Sequence, residues 1–182
     1  MHHNEKWQLF YSNGEPIVGK WRSAEKNNPE SNEEEIVGGS VIHLYRKNQD
    51  GRIELLWQQR SEKLVNFPGK WDVSAGGHVN LGETFVDAAL REAWEEIGIK
   101  VKAEELVLVA FRRNKNIINM VYLVDWTDRG EDFKFDDGEV TTTKWVPLSD
   151  DEFRKKNAKA PVAEDDATYL LIRRWLENYE DL

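Results

Sequence analysis

The segment that most restricts the fold of this chain is residues 77–99, in which a glycine-containing turn precedes an acidic helix. Helical spacing is predicted over residues 83–97, and positions three and four apart share one helix face. Glu92, Glu95 and Glu96 therefore lie together. Like charges at this spacing cost roughly a few tenths of a kcal/mol per pair, and the helix dipole disfavours acid in the C-terminal half. Such a local conflict is typical of a functional site, although an exposed acidic face paired with Lys and Arg is the structural alternative.

A hard divalent cation would remove this electrostatic conflict. Mg²⁺ prefers carboxylate oxygens and commonly bridges them to substrate phosphates, and Mn²⁺ accepts the same oxygen donors. The sequence therefore predicts Mg²⁺ as the cofactor, with Mn²⁺ as an alternative.

Composition narrows the class of partner. With 34 acidic and 25 basic residues the net charge is −9, which argues against an extended nucleic-acid surface but not against a small phosphorylated molecule. No cysteine is present, so disulfides and thiolate chemistry are excluded, and a reducing cytoplasm is the expected location. The polar first residues and the lack of a long apolar run predict neither a secretory signal nor a membrane span.

The remaining pattern predicts an α+β fold of one domain. Extended segments are predicted at residues 7–21 with a turn at Asn13–Gly14, at 36–46, 53–60, 106–112, 119–126 and 140–146, and around Trp71, Val73 and Ala75. A last helix is predicted over residues 165–179. Residues 1–35 are predicted to form an N-terminal strand and an acidic connection that pack on a domain of residues 36–182. Gly38 and Gly39 indicate a bulge or a close backbone approach.

The spacing of fixed residues between positions 77 and 99 is distinctive. In chain order they are Gly77, Glu83 after five residues, Arg91 and Glu92 after seven more, Glu95 and Glu96 after two, and then Gly98 and Ile99. This arrangement resembles the Nudix box, from which only Ala93 departs by being smaller than the usual aliphatic residue. Segments 57–61, 67–72 and 76–78 are similar to the branch of that superfamily close to isopentenyl-diphosphate isomerases, and segments 137–140 and 144–148 resemble the strand that closes a Nudix sheet.

The resemblance implies an α/β/α sandwich with a mixed sheet and a pyrophosphohydrolase that uses one to three divalent cations. By that resemblance the cation ligands are carboxylates of Glu92, Glu95 and Glu96 and the backbone carbonyl of Gly77. Arg91 would hold a box glutamate by a charge-assisted hydrogen bond. Glu83 would anchor the loop to the helix.

Other roles stay open at the level of sequence. The general base is Glu96, Glu92 or Glu139, the last being equally readable as a solvated loop carboxylate. Arg60 and Lys70 are candidates for substrate phosphate contact, or simply surface charges. His78 stands where the isomerases place a metal-binding histidine, and we expect it to be structural or peripheral here.

Two other functions, an isomerase and a non-catalytic nucleotide sensor, are alternatives to hydrolysis. Isopentenyl-diphosphate isomerases need a cysteine and a Glu-any-Glu pair, but this chain has no cysteine and no carboxylate in residues 118–121. A Nudix-like sensor that binds a nucleotide without cleaving it often loses box glutamates, which this chain retains. The sequence therefore predicts hydrolysis of a diphosphate linkage in a small, nucleoside-diphosphate-linked substrate. It leaves the substrate's identity and a homodimeric state open.

Overall fold

The computed structural model describes residues 5–23, 35–113 and 116–179. Within these ranges the strands are β1 (Lys6–Phe10), β2 (Pro16–Ser23), β3 (Ile36–Lys47), β4 (Ile53–Arg60), β5 (Trp71–Asp72), β6 (Ala75–His78), β7 (Val107–Arg113), β8 (Ile117–Asp125) and β9 (Val140–Pro147). The α-helices are α1 (Phe85–Ile97), α2 (Asp151–Asn157), α3 (Ala160–Ala163) and α4 (Asp166–Tyr179), and a 3₁₀ helix spans Ala103–Glu105.

Strand β3 is the centre of a single mixed sheet. Along one edge it runs parallel to β8, and its other pairings, with β1, β6 and β4, are antiparallel. Strand β4 continues the sheet through β9 and β5, while β7 pairs with β8. Because β3 and β4 are paired only near Tyr45 and Leu55, β6 takes the place of β4 beside the rest of β3. The segment ahead of α1 is thereby built into the sheet.

Helices cover both faces of this sheet. One face buries Ile42, Leu44 and Leu56 against Ala89, Ala93 and Ile97 of α1. The other face buries Leu55, Trp57 and Leu123 against Tyr169, Ile172 and Leu176 of α4. The predicted α+β class and α/β/α sandwich are confirmed. No helix in the described part of the chain is long and apolar enough to span a membrane.

Three local predictions need correction. Gly76–His78 was expected to open a loop, but it belongs to β6 and pairs with Gly39–Val41 of β3. Helix α1 begins at Phe85 rather than Glu83, because the Thr84 side chain caps its first turn and Asp87 completes a reciprocal capping box. Helices α2 and α3 were not predicted, since both are too short to show a helical period. The predicted acidic connection falls largely on residues 24–34, which lie outside the described ranges.

Gly38 and Gly39 are needed for close packing rather than for a bulge. Atoms of Phe10 occupy the space that a Cβ on Gly38 would take, with Cζ at 3.1 Å, and Asn119 fills that space at Gly39. The predicted close approach is therefore correct, and the bulge is not found in the pairing of β3.

The N-terminal hairpin joins the sheet at the segment between β6 and α1. Strand β1 pairs with both β2 and β3. The Gln8 N–H also donates to the Val79 carbonyl at 2.9 Å, and the Leu81 N–H donates to the Lys6 carbonyl at 2.7 Å. The hairpin therefore fixes the backbone that carries the box residues into α1.

Candidate active site

Helix α1 turns its acidic face toward β6 because the adjoining apolar stripe is buried. Ala88, Ala89, Ala93 and Ile97 lie in the core. At its end Gly98 has φ 69° and its N–H donates back to the carbonyls of Ala93 and Trp94, a left-handed cap that glycine adopts without steric cost. The cap and the apolar stripe together set the rotation of the helix, and so the direction of its glutamates.

Arg91 is the hub of this acidic face. Its Nε and Nη2 donate to the two carboxylate oxygens of Glu83 at 2.8 and 3.1 Å. Its Nη1 donates to Glu92 Oε1 at 2.7 Å and to Glu95 Oε2 at 3.0 Å. Nη2 also donates to the His78 carbonyl at 2.8 Å. One guanidinium thus ties three carboxylates and strand β6 into one network.

Glu83 connects this network to the loop. Its Oε2 accepts the Asn80 N–H at 2.9 Å, and its own N–H donates to the Asn80 carbonyl at 2.9 Å. It lies just ahead of the helix rather than on it, so its carboxylate can face the Arg91 fork from the N-terminal side.

Glu96 is the most deeply buried of the helix carboxylates, with 5% of the residue exposed. Its Oε2 accepts the Gly76 N–H at 2.8 Å and the Gln58 side-chain amide at 3.1 Å. Burial, followed by the charge of Glu92, raises the pKa of Glu96 well above its ordinary value. These two hydrogen bonds fix the carboxylate against β6 and β4 but do not neutralise it.

Glu92 lies against the backbone of Gly77. A Cβ on Gly77 would overlap Glu92 Oε1 and lie 2.9 Å from Oε2, so only glycine permits this approach. Burial raises the pKa of Glu92 to about 7, despite the opposing effect of Arg91. The predicted convergence of Gly77 with the helix carboxylates is present in the structure.

The donors of the acidic face decide whether a cation fits there. Within residues 5–23, 35–113 and 116–179, no three histidine or acidic side chains are arranged to hold a metal ion as they stand. Arg91 bonds Glu92 and Glu95, while Gly76 and Gln58 bond Glu96. The chemistry of the donor set nevertheless fits a hard cation, because the oxygens are carboxylates and two of them are buried without full neutralisation.

The other predicted residues lie outside α1: Arg60 ends β4, Lys70 immediately precedes β5 and Glu139 immediately precedes β9. Arg60 donates from Nε and Nη2 to the Asn66 carbonyl, both at 3.2 Å, and from Nη1 to Asp72 at 3.5 Å. It therefore holds the loop between β4 and β5. Lys70 is exposed, and its carbonyl accepts the Arg60 N–H at 2.9 Å. The Glu139 carbonyl accepts the Ser61 N–H at 2.7 Å, which fixes its backbone at the end of β4.

His78 is packed rather than free in a loop. The Trp7 indole stacks on its ring at 3.8 Å with an interplanar angle of 13°. Burial, then the positive charges of Lys159, Arg22 and Arg91, lower the pKa of His78 to about 4. The imidazole is therefore neutral at physiological pH and ties the N-terminal hairpin to β6.

The residues 37–177 match the family model of the NUDIX domain. The chain belongs to the Nudix family. Nudix hydrolase 3 of Arabidopsis thaliana is 34% identical over 109 residues, which cover 53% of this chain and 14% of that protein. An isopentenyl-diphosphate Delta-isomerase of Paenarthrobacter aurescens is 44% identical over 59 residues, 32% of each chain. The chain thus spans well under half the length of these curated relatives.

Solved structures of other proteins share this fold. A Deinococcus radiodurans protein superposes with a TM-score of 0.67 at 23% identity, covering 93% of this chain and 98% of its own. The Caenorhabditis elegans Ap4A hydrolase gives 0.57 at 24%, covering 81% and 100%. The NUDIX domain of Shewanella oneidensis NrtR, solved with ADP-ribose, gives 0.60 at 16%, covering 83% and 94%.

Two residues beside the Nudix box were missed by sequence reasoning. Gln58 bonds Glu96, and Asp72 is a buried carboxylate that is 2% exposed on β5. The sequence signal that could have found them is a polar residue at an inward-facing position of a strand. That signal is weak for Asp72, because the two-residue strand β5 is too short to show which positions face inward.

Proposed function

We propose that this Nudix chain hydrolyses the diphosphate linkage of a small, nucleoside-diphosphate-linked substrate with the help of a divalent cation, Mg²⁺ or Mn²⁺. The observation that carries the proposal is the convergence of Glu92 and Glu96 on Gly76–Gly77, with Glu95 joined to Glu92 through Arg91. Buried carboxylates collected in this way destabilise the folded chain unless a cation or proton compensates them.

In this proposal the cation is held by carboxylate oxygens of Glu92, Glu95 and Glu96 and by the Gly77 carbonyl. When bound, it neutralises phosphate oxygens and lowers the pKa of a nucleophilic water. Arg91, braced by Glu83, holds Glu92 and Glu95, while Gly76 and Gln58 hold Glu96. Arg91 Nη1 bonds one oxygen of Glu92 and one of Glu95, and the second oxygen of each carboxylate would be the one to hold the cation.

The base that accepts the proton of the water is one of Glu96, Glu92 and Glu139. Burial raises the pKa of Glu92 and Glu96, so either carboxylate, once ionised, takes a proton from water more readily than a solvated glutamate does. Glu139 approaches from the β9 side, where its backbone is anchored to Ser61. Rates of the three Glu→Gln variants, compared at saturating cation, assign the role.

The chemistry of the site does not support isomerisation. The family relative with that name aligns over 59 residues, but this chain contains no cysteine. Residues 118–121 of β8, where a catalytic carboxylate pair would be expected, are Ile, Asn, Met and Val. The cysteine and the carboxylate pair that would transfer protons to and from a carbon skeleton are therefore both absent from these positions.

The test is hydrolysis of a defined panel. ADP-ribose, Ap4A, a nucleotide sugar, a dinucleotide coenzyme, an oxidised nucleoside triphosphate and isopentenyl diphosphate are incubated with Mg²⁺, with Mn²⁺ or with EDTA, and products are separated by anion exchange. We expect cleavage of at least one diphosphate that EDTA abolishes and Glu96→Gln lowers sharply. Binding of a nucleotide without cleavage would instead assign a sensor role, and isomerisation of the last compound would overturn the hydrolase assignment.

A further inference from the structure

A row of polar side chains crosses the sheet beside α1 and consists of Gln58, Asp72 and Lys159. In the antiparallel pairing of β4 with β5, Gln58 is directly opposite Asp72, and opposite residues project from the same face. The Gln58 amide donates to Glu96, so this face is the one covered by α1. Trp57 and Trp71, the chain neighbours, pack on Phe153 of α2 on the other face.

The row continues past the edge of β5. Ala158 forms a parallel bridge with Trp71, and the Lys159 N–H donates to the Trp71 carbonyl at 2.9 Å. This register sets Lys159 beside Asp72, and the two side chains form an ion pair. A residue from the connection between α2 and α3 is thereby carried around the sheet edge to the Glu96 side.

The ion pair is buried at one end and open at the other. The Asp72 side chain is 3% exposed, whereas that of Lys159 is 26% exposed. An ammonium has three N–H donors, and Asp72 can engage only part of that capacity.

Arg60 reaches the same carboxylate but is more fully committed. Its Nη1 lies 3.5 Å from Asp72, while Nε and Nη2 donate to the Asn66 carbonyl. The Lys159 ammonium is therefore partly exposed, and its ion pair with Asp72 holds it in place. A positively charged side chain is useful here, because the substrate's phosphates approach a site that is already rich in carboxylates.

We propose that Lys159 binds a phosphate oxygen of the diphosphate substrate at the β5 edge, with Asp72 as the positioning residue that holds its ammonium there. The proposal deepens the function proposed above and rests on it. Lys159 supplies a point charge to the phosphate farther from the α1 carboxylates. Its contribution is mainly to substrate binding, since a contact made equally in ground and transition states changes KM more than kcat.

The first experiment measures binding without hydrolysis. The probe is imidodiphosphate, a non-hydrolysable diphosphate, titrated calorimetrically in the presence of Mg²⁺. Loss of a charge-assisted hydrogen bond at a partly exposed site predicts that Lys159→Gln weakens binding roughly 10-fold. Lys159→Arg should restore most of the affinity, because the charge is retained.

The matched control is Lys156→Gln. Lys156 is a lysine of the adjoining helix α2, and it pairs with Glu152 at the exposed surface. The Lys156→Gln variant should bind imidodiphosphate with the affinity of the wild type. Equal affinity of Lys159→Gln and this control would overturn the proposal, as would weakening in Lys159→Arg as large as in Lys159→Gln.

Asp72 is tested by a double-mutant cycle. If Asp72 acts by positioning Lys159, Asp72→Asn weakens binding less than Lys159→Gln does, and adding it to Lys159→Gln causes little further loss. Additive losses in the double variant would overturn the positioning role. Thermal melts of all variants report folding, and the affinity lost in Lys159→Gln should return in Lys159→Arg whatever the melts show.

Kinetics separate this proposal from the function on which it rests. With a substrate found in the panel, Lys159→Gln should raise KM roughly 10-fold with a much smaller change in kcat. Wild-type binding of imidodiphosphate, together with no hydrolysis of any compound in the panel, overturns the proposed function and leaves Lys159 to be decided by the binding cycle. Failure of the wild type to bind imidodiphosphate overturns both.

Discussion

The Gly77 backbone and the Glu92 carboxylate are in such close contact that no side chain fits between them. The contact joins β6 to α1 at the centre of the acidic network. Its geometry is specific to glycine for steric reasons, not for conformational ones, since Gly77 is not among the glycines with positive φ. Any added carbon has to displace Glu92 or move β6 away from the helix.

We therefore predict that Gly77→Ala, which displaces the Glu92 carboxylate, lowers cation-dependent hydrolysis roughly 10²-fold, the cost of misplacing a reacting group by about 1 Å. Binding of Mn²⁺, measured by calorimetry, should weaken in parallel. Gly130→Ala is the matched control, because a Cβ there meets only Asp132 Oδ2 at 3.7 Å. Wild-type turnover in Gly77→Ala would show that Glu92 does not need its present position.

The bonds of Arg91 lead to a prediction about the cation itself. Because Nη1 engages one oxygen of Glu92 and one of Glu95, fewer carboxylate oxygens are left for a cation in the protein alone. We expect Mg²⁺ to bind the protein alone weakly and to bind more tightly with imidodiphosphate, which adds phosphate oxygens to the ligand set. Calorimetry with and without the diphosphate tests this. Equal affinity in both titrations would contradict it.

The sequence predicted the part of this site that depends on local spacing. Helix periodicity placed Glu92, Glu95 and Glu96 on one face, because an apolar stripe sets the rotation of the helix. The resemblance to the Nudix box placed Gly77 near them. The α+β class followed similarly from the periods of the long strands.

What the sequence did not predict depends on contacts between distant segments. Gly76–His78 became a strand because β3 offers it an edge, which glycine content alone argues against. Gln58, Asp72 and Lys159 come from three elements that meet only through the pairing of β4, β5 and the segment after α2. No spacing within one element can reveal such a row.

The stacking of Trp7 on His78 gives a spectroscopic prediction. Burial holds the pKa of His78 at about 4, so its ring signals should titrate near that pH in NMR spectra. Trp7→Ala exposes the imidazole, and its pKa should rise toward the ordinary value of about 6.5. Trp94→Ala is the control, because Trp94 is 52% exposed and its ring contacts Lys100. An unchanged His78 titration in Trp7→Ala would show that other groups bury the ring.

The last prediction concerns Glu96→Gln and its dependence on pH. Glu96 has a folded-state pKa well above its ordinary value, so the folded chain retains a proton that the unfolded chain releases near pH 4.5. The stability from that proton is fully present below the unfolded pKa and is lost as pH rises toward the folded pKa. Glutamine keeps the hydrogen-bonding shape without titrating. In EDTA, Glu96→Gln should therefore melt at a higher temperature than wild type, with a difference that grows from pH 5 to pH 8. Glu104→Gln, a change at an exposed residue, should show no such trend.

With Mg²⁺ the gain in melting temperature of Glu96→Gln should shrink, because a cation stabilises only the intact carboxylate cluster. Turnover of Glu96→Gln should fall about 10²- to 10⁴-fold. Activity at the wild-type level, or a melting difference that does not vary with pH, would refute the role assigned to this carboxylate.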